Sequence, residues 1–294
     1  MANKHRFNHR NFRVVEGEKV KLKKIATTPG KELDKKDDAQ AALADDIASL
    51  KAAQEKMFAA GQHSILIIMQ GMDASGKDGA VSHVMSGVNP QGCRVYSFKA
   101  PSPEELQHHF LWRPMRFLPE RGMISIFNRS YYEEVLVVRV HPEFLTPQKL
   151  PKYKNLEDLW EQRYQEINNF EAMMTRHGTS VLKFFLHVSR EEQKNRLLER
   201  FKNPEKQWKV NERDLQERAL WKDYQEAFED TLAATSCKNA PWYIIPADDK
   251  WYARAAIADI IAAHMESLNL DYPAVSDEQR KKYAELALEL EKQS

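Results

Sequence analysis

Five short apolar segments alternate along the chain with longer stretches of mixed apolar and polar residues. In chain order the apolar segments are Ile65 to Met69, Arg94 to Phe98, Met123 to Phe127, Val181 to Val188 and Trp242 to Ile245. Apolar runs of this length are typical of strands, and the stretches between them have the period of helices. Because parallel strands need such helical connections, the alternation predicts an α/β fold in which a central parallel sheet carries helices on both faces.

Two connections inside the sheet region have helical character. Leu156 to Arg176 predicts a long helix, which Gly178 is placed to end. A second helix is predicted to open at Pro103 and to run toward Pro119. No Gly/Ser linker, low-complexity tract or internal repeat divides the chain.

The two ends of the chain are predicted to be peripheral to the sheet. An N-terminal arm leads into an alanine-rich helix, Ala39 to Ala60, that ends at Gly61 and packs on the sheet. A final helix, Asp277 to Lys292, carries Leu286, Leu288 and Leu290 among many charges, which fits a solvated helix with a narrow apolar seam or a partner-binding segment. The predicted parts are an arm with its packing helix at 1–60, a main domain at 61–270 and a helical tail at 271–294.

Composition excludes several classes of protein. With 44 basic and 43 acidic side chains in 294 residues, the net charge is +1, so no overall field attracts nucleic acid or a membrane. The two cysteines, Cys93 and Cys237, form no C-x-x-C pair and are expected to be free thiols. The N-terminus has no apolar leader, and no run approaches the ~20 apolar residues of a membrane span. We therefore expect a cytoplasmic globular protein whose anion sites come from local clusters of Lys and Arg.

The first apolar run opens into a glycine-rich loop of a kind that binds phosphate. The loop consists of Gly71, Met72, Asp73, Ala74, Ser75, Gly76, Lys77, Asp78 and Gly79. Glycines let successive backbone N–H groups point at one anion, a lysine reaches the outer phosphate, and the next helix directs its N-terminal dipole inward. Asp78 stands where Ser or Thr would hold Mg²⁺, so a binder of free ATP does not follow automatically. The alternative is a glycine-rich turn; in either case Lys77 is expected to be solvated.

Polar residues follow the third predicted strand and should face the same crevice. Ligands of open α/β sheets collect outside the carboxyl ends of the strands. Asn128 occupies the position where an acid usually follows such a strand, and Arg129 beside it can neutralise a phosphoryl oxygen. The alternative is a helix N-cap formed by Asn128 or Ser130, with Arg129 on the surface.

A basic segment after the fourth predicted strand is expected to form a lid, at about residues 194–212. Arg196 and Arg200 lie four residues apart on one helix face, and a loop beyond Pro204 carries Lys206, Trp208 and Lys209. Arginines that close over phosphates stabilise the charge of phosphoryl transfer. Replacing either arginine by alanine is then expected to lower the rate more than the stability. The alternative is an amphipathic helix with solvated basic residues.

Two further groups of residues are ambiguous in the sequence. Arg113, Arg116 and Arg121 flank the predicted helix that leads into the third strand, where they could follow an extended polyanion or solvate a helix end. His108 and His109 have no further ligands at metal spacing, so a metal site is not expected there.

Several of these motifs together resemble the family-2 polyphosphate kinases. The similar segments are Gly71 to Gly79, Phe127 to Val140, Asn203 to Lys209, Ala240 to Asp248 and Lys250 to Arg254. The resemblance extends from about residue 12 to 270. Asn128 together with Glu133 and Glu134 resembles the branch called class III, whose members are understood to phosphorylate both AMP and ADP from polyphosphate.

The resemblance implies a thymidylate-kinase-like P-loop kinase with a three-layer α/β/α fold and a helical lid. It implies that the loop around Gly76 and Lys77 holds phosphates, that Asp73 positions Mg²⁺ or the acceptor phosphate and is a candidate base, and that Asn128 and Arg129 hold the reacting phosphates. Either Arg196 or Arg200 would be the lid arginine, and Glu133 would lie near the acceptor nucleotide. It also implies Mg²⁺ as the metal, with Mn²⁺ as an alternative, and a homo-oligomer.

The expected function is reversible transfer of the terminal phosphoryl group of polyphosphate to AMP and ADP, which gives ADP and ATP. An ATP-dependent P-loop kinase acting on a nucleotide or small molecule is the first alternative. A non-catalytic binder of polyphosphate or nucleotide, in which Asp78 and Asn128 mark a degenerate site, is the second.

Overall fold

A computed structural model describes residues 5–31, 33 and 35–293. The described chain contains a five-stranded, all-parallel sheet with the order β2-β3-β1-β4-β5. Its strands are β1 (Ser64–Gln70), β2 (Cys93–Ser97), β3 (Ile124–Asn128), β4 (Thr179–His187) and β5 (Trp242–Pro246). Each predicted strand is therefore confirmed, with ends displaced by one or two residues at most.

Ten α-helices occur in the described part of the chain. They are α1 (Lys36–Ala60), α2 (Lys77–Val84), α3 (Trp112–Met115), α4 (Val137–Val140), α5 (Leu156–Arg176), α6 (Arg190–Lys202), α7 (Asp214–Ala219), α8 (Trp221–Thr235), α9 (Lys250–Ser267) and α10 (Asp277–Glu291). Short 3₁₀ helices lie at His9–Asn11, Leu22–Lys24, Pro90–Gly92, Glu105–Gln107, Tyr131–Val135, Pro142–Gln148 and Pro204–Lys209.

The sheet is covered on both faces, as the continuous apolar strands require. Along β1, Ile65, Ile67 and Met69 enter one core with α1, α2 and α9. Leu66 and Ile68 point to the opposite face, where α5 and α8 pack. Since side chains alternate across a strand, a strand buried on both faces must be apolar at every position. The predicted α/β class with a three-layer architecture is confirmed.

The N-terminal segment covers the outer edge of β5. Val14 N donates to Trp242 O at 2.9 Å, and Ile244 N donates to Phe12 O at 2.8 Å. This pairing satisfies backbone groups that an edge strand would otherwise expose. The segment then leads to α1, which packs on α9 and ends at Gly61 in the left-handed conformation (φ +58°). Residues 1–4, 32 and 34 of the predicted arm lie outside the described residues.

One predicted helix is wrong. Between Pro103 and Pro119 the structure has only the turn Glu105–Gln107 and the four-residue α3. His108 is extended (φ −111°, ψ 163°) and interrupts the backbone between them. Pro114 explains why no continuous helix forms, because its nitrogen lacks the N–H that such a helix would use as a hydrogen-bond donor. The long α5, by contrast, has the predicted bounds.

The C-terminal helix α10 has no buried residue among those described. Leu286, Leu288 and Leu290 are 50%, 57% and 70% exposed. Leu286 and Leu290, four residues apart, share one helix face, whereas Leu288 lies on the opposite side, and none of the three is buried. Ser294 of the predicted tail lies outside the described residues. Among the described residues, no helix is both long and apolar enough to cross a membrane.

Candidate active site

The glycine-rich loop joins β1 to α2 at the centre of the sheet. Gly71 has φ +155°, and a Cβ there would lie 2.9 Å from Leu186 O and 2.8 Å from Ser75 Oγ. Gly76 has φ +104° and caps the N-terminus of α2. Glycine adopts these φ angles with little strain, and only glycine allows the close approach at Gly71. The loop therefore curls over the N-terminus of α2, the geometry in which backbone N–H groups bind an anion.

Lys77 is buried within this loop and is not solvated as the sequence suggested. It is 8% exposed, and its Nζ donates to Gly71 O at 2.6 Å and to Met72 O at 3.1 Å. Burial, together with the nearby Arg129 guanidinium, lowers the pKa of Lys77 to about 8. The ammonium group thus lies inside the phosphate loop, where an incoming phosphate would replace carbonyl oxygens as its partner.

The pKa of Lys77 predicts a pH dependence. Below about pH 8 the side chain is a cation, and above it the charge is lost, so polyanion binding to the free protein weakens as pH rises. We expect kcat/KM for polyphosphate to fall with rising pH through about 8, approaching tenfold per pH unit. At saturating substrate, kcat should fall less, since a bound phosphate stabilises the charged lysine. Steady-state kinetics between pH 7 and 9.5 check this; a flat or rising kcat/KM would contradict it.

The end of β3 meets the phosphate loop directly. Asn128 Nδ2 donates to Asp78 Oδ1 at 2.7 Å, and Asn128 Oδ1 is a buried oxygen without a hydrogen-bond partner among the described residues. Ser130 caps the following turn by accepting from Tyr132 N at 3.2 Å. Capping therefore belongs to Ser130, and Asn128 contributes an amide oxygen to the crevice.

Arg129 links two carboxylates of the crevice. Its Nη2 donates to Asp73 Oδ1 at 2.6 Å, and its Nη1 lies 3.5 Å from Glu133 Oε2. Burial raises the pKa of Glu133, and the Arg129 charge opposes this shift. Arg129 itself has φ +64°, a left-handed conformation that is costly for a residue with a Cβ. The backbone is thus bent at the point where this guanidinium enters the crevice.

A buried polar network supports that bend from behind. The side chains of Lys183 in β4 and Glu171 in α5 are both fully buried, and Lys183 Nζ lies 2.5 Å from Glu171 Oε2. Glu171 Oε1 accepts from the hydroxyls of Tyr131 and Tyr132, each at 2.8 Å. These two tyrosines follow Arg129 by two and three residues, so the ion pair anchors the turn that positions Arg129. Burial lowers the pKa of Lys183, while its bond to Glu171 favours the charged form.

Arg196 is a buried connector between loops. Its Nη1 donates to Ala74 O and Ser75 O at 3.1 and 2.7 Å, and its Nη2 donates to Ala247 O and Asp248 O at 2.5 and 2.8 Å. Nε donates to Glu192 at 2.7 Å, so all five N–H donors have protein acceptors. In this arrangement Arg196 fixes the phosphate loop to the loop before α9.

Arg200 lies one helical turn further along α6 and is less constrained. Its Nη1 is 3.7 Å from Asp214 Oδ2. In the segment that follows, Lys206 pairs with Glu199, and Lys209 Nζ lies 4.0 Å from Asp78 Oδ2 and 4.8 Å from the centre of the Trp208 ring. Trp208 is 78% exposed. The predicted lid segment therefore reaches the phosphate loop through Lys209, and closure of a lid stays a prediction.

The two lid arginines are expected to behave differently when changed to lysine. Arg196→Lys should lower the free energy of unfolding by roughly 2–4 kcal/mol along with turnover, because a lysine cannot satisfy four buried carbonyls. Arg200→Lys should lower turnover with a stability loss below about 1 kcal/mol, since its ion pair is partly solvated. Urea unfolding and kcat of both variants provide the comparison. Equal stability losses, or the reverse order, would contradict the separate places that we assign to the two residues.

These elements enclose a cleft of about 1360 Å³ at the carboxyl ends of the strands. Most predicted site residues line it, namely Asp73, Ala74, Ser75, Gly76, Lys77, Asp78, Gly79, Arg113, Asn128, Arg129, Glu133, Arg196, Arg200, Lys206, Trp208 and Lys209. Gly71 and Met72, the first two residues of the loop, do not line the cleft. Of the three ambiguous arginines only Arg113 lines it; Arg116 lies over Trp112, and Arg121 donates to Gln62 O.

Several residues of the cleft were not predicted from the sequence. Lys250 and Arg254, on the first turns of α9, line it at the end of β5, and the rule that ligands collect at strand ends would have found them. Asp214 and Glu217 of α7 line the opposite side. Tyr224 donates to Glu217 at 2.6 Å, and burial raises the pKa of its hydroxyl. No local motif marks these three, because they come from helices distant in sequence.

The parallel sheet, the phosphate loop with its buried lysine, and the arginines around one cleft define a P-loop kinase. Comparison of the sequence with known protein families identifies the family. The sequence profile of Polyphosphate kinase 2 (PPK2) matches residues 32–273. The chain belongs to the polyphosphate kinase 2 family and is an enzyme that transfers phosphoryl groups.

Named relatives and a solved structure cover most of the chain. An "ADP-polyphosphate phosphotransferase" of Rhodopseudomonas palustris is 47% identical over 282 residues, which span 96% of this chain and 98% of that protein. An "AMP/ADP-polyphosphate phosphotransferase" of Meiothermus ruber is 46% identical over 76% of this chain and 80% of that protein. The crystal structure of polyphosphate kinase 2 from Arthrobacter aurescens superposes with a TM-score of 0.85 at 38% identity, over 94% of this chain and 95% of that one.

Proposed function

We propose that this protein transfers the terminal phosphoryl group of polyphosphate to ADP and to AMP, which gives ATP and ADP. The observation that carries the proposal is the joint placement of Lys77, Arg129 and Arg200 on one cleft, around a helix N-terminus. Both sides of the reaction are phosphoanhydrides of similar energy, so the transfer is expected to be reversible.

The charge of the cleft supports polyphosphate as the donor. Cations outnumber carboxylates among the lining residues, in a chain whose net charge is only +1. The lining cations beyond the phosphate loop include Lys99, Arg113, Lys152, Lys154, Lys206, Lys209, Arg213, Lys250 and Arg254. An extended polyanion gains from a row of such charges, whereas a single nucleotide donor would need only a few of them.

The apolar residues of the cleft support a nucleotide acceptor. Phe110, Val137, Val138, Phe144 and Leu150 give the cleft an apolar lining that suits a base. Arg163, which is buried, braces the wall by donating to Glu134 and Gln148. The relatives named for ADP and for AMP/ADP support the same acceptor class.

The crevice also fits a divalent cation. The carboxylate of Asp73 and the partnerless buried oxygen of Asn128 are oxygen ligands of the kind that Mg²⁺ prefers, and Mn²⁺ accepts the same set. A cation held there would neutralise negative charge on the phosphate oxygens. Arg129, which now donates to Asp73, would turn to phosphate in the complex, and Asp73 with Asn128 would then hold the cation.

The transfer itself needs little proton chemistry. A phosphate oxygen of the acceptor attacks the terminal phosphorus of the chain, and the anhydride bond to the shortened polyphosphate breaks with its electron pair going to that chain. An ionised acceptor phosphate has no proton to lose at neutral pH. Asp73 therefore serves in our proposal as a metal and acceptor contact, not as a base. Lys77, Arg129 and Arg200 hold the transferring group.

The test is a product assay without ATP. Purified protein is incubated with Mg²⁺ and long-chain polyphosphate, with AMP alone or ADP alone, and nucleotides are separated by chromatography. We expect ADP and then ATP from AMP, and ATP from ADP. ATP from ADP but nothing from AMP would restrict the acceptor to ADP, as the name of the Rhodopseudomonas relative suggests. Turnover only with ATP as donor, or tight polyphosphate binding with no turnover, would overturn the proposal.

A further inference from the structure

Two histidines and a buried carboxylate meet outside the catalytic cleft. His5 and His9 belong to the N-terminal segment, and Asp259 lies on α9. One ligand atom from each of the three lies within 4.8 Å of the others. Asp259 is five residues along α9 from Arg254, the nearer of the two cleft residues of that helix, which places it about 7.5 Å further along the helix axis. We propose that His5, His9 and Asp259 form a Zn²⁺ site that fastens the N-terminal segment to α9.

The contacts of His5 define its tautomer. His5 Nε2 lies 3.0 Å from Glu266 Oε2. Because a carboxylate accepts, Nε2 holds the proton, and neutral His5 has its lone pair on Nδ1. Nδ1 is buried, has no hydrogen-bond partner among the described residues, and lies 3.5 Å from Asp259 Oδ1. A nitrogen lone pair and a carboxylate oxygen that face each other repel unless a proton or a metal ion lies between them.

The distances between the candidate ligand atoms suit a metal ion. Zinc binds imidazole nitrogen and carboxylate oxygen at about 2.0–2.2 Å, so tetrahedral ligand atoms lie about 3.3 Å apart. The 3.5 Å between His5 Nδ1 and Asp259 Oδ1 is close to that distance. His9 Nε2, now 2.7 Å from Asp259 Oδ2, would exchange its hydrogen bond for a bond to the metal. The Glu266 contact matches the carboxylate that commonly orients a metal-bound histidine from its other nitrogen.

A second carboxylate lies near the buried carboxylate of Asp259. Asp259 is 1% exposed and also accepts from the backbone N of Arg6 at 3.0 Å. Asp46 of α1 is buried too; burial and the charge of Asp259 raise the pKa of Asp46 to about 7, while His5 and Arg6 act in the opposite direction. The guanidinium of Arg6 also pairs with Asp45 at 3.0 Å. A dication would stabilise the buried charge of Asp259, and His5 and His9, each about a quarter exposed, leave it a path from solvent.

The ligand set favours Zn²⁺ over the catalytic metal. Imidazole nitrogens suit zinc and related transition ions, whereas Mg²⁺ prefers an all-oxygen set. The site has three protein ligands, and water would supply the fourth. Its expected effect is on stability, since an ion that binds only the folded chain stabilises it in proportion to its affinity.

The experiment uses the full chain without a histidine tag, freed of metal with a chelator, and titrated calorimetrically with Zn²⁺ alone. We expect one Zn²⁺ per chain and a rise in the melting temperature. His5→Ala and His9→Ala should each weaken binding at least ~10-fold, and Glu266→Gln by ~10- to 100-fold. His177→Ala, at an exposed histidine after α5, is the matched control and should leave binding unchanged.

Absence of Zn²⁺ binding, or binding that both histidine variants retain, would overturn the proposal and leave a cluster of histidine–carboxylate ion pairs. If a variant fails to fold, X-ray absorption at the zinc edge of the wild-type complex decides. Two imidazole nitrogens with oxygen ligands support the site, and a sulfur ligand or an all-oxygen shell contradicts it.

Discussion

Replacing Lys77 by alanine is expected to lower polyphosphate-dependent turnover by roughly 10³-fold or more. The ammonium group lies in the phosphate loop, 2.6 Å from Gly71 O, where it would contact the transferring phosphoryl group. The free energy of unfolding should fall by only about 1–2 kcal/mol, since the lost hydrogen bonds join a loop to its own carbonyls. Initial rates with ADP as acceptor, and urea unfolding of the same preparation, measure both effects.

Lys99→Ala is the matched control for this prediction. Lys99 also lines the cleft but is exposed, so its loss should cost less than about tenfold in rate. If Lys77→Ala keeps its rate within tenfold of the wild type, the loop from Gly71 to Gly79 is not the phosphate site.

Replacing Lys183 by methionine is expected to be the most destabilising single change described. It leaves Glu171 as a fully buried carboxylate without its cation, which costs about 3–5 kcal/mol. Because Tyr131 and Tyr132 both bond to Glu171, the variant should also disturb Arg129 and lower kcat. Urea unfolding with two independent probes measures the stability change.

The double variant Lys183→Met/Glu171→Leu separates lost charge pairing from lost packing. It removes the unpaired, buried carboxylate of Glu171 and should recover at least half of the stability that Lys183→Met loses. Turnover should stay low, since in the double variant the hydroxyls of Tyr131 and Tyr132 also lose their acceptor, Glu171. A loss below about 1 kcal/mol in Lys183→Met would show that the buried pair does not hold the turn after β3.

The strands and the phosphate loop could be predicted because their determinants are local. A strand buried on both faces is apolar at every position, and β1 shows this as the run from Ile65 to Met69. The loop needs glycine at fixed places for steric reasons, so Gly71 and Gly76 identify it. The prediction of a helix from Pro103 to Pro119 was wrong because it gave the helical period of the apolar residues more weight than the prolines.

The partners of the site residues could not be predicted, because they are set by tertiary contacts. Glu171 and Lys183 lie on a helix and a strand, and nothing in either segment shows that they pair. Arg196 has the sequence position of a lid arginine, yet its side chain turns inward to four carbonyl oxygens. The roles given to the site residues, the metal and the oligomeric state stay predictions.

Transfer of phosphoryl groups in this cleft, from the end of a polyphosphate chain to a nucleotide, can be followed by ³¹P NMR. The protein is mixed with Mg²⁺, long-chain polyphosphate and ADP, and the end-group, internal-phosphate and ATP signals are followed together. We predict that ATP grows as internal phosphate declines while the number of chain ends stays constant. An increase in chain ends, or release of orthophosphate without ATP, would show that the cleft does not transfer terminal phosphoryl groups to ADP.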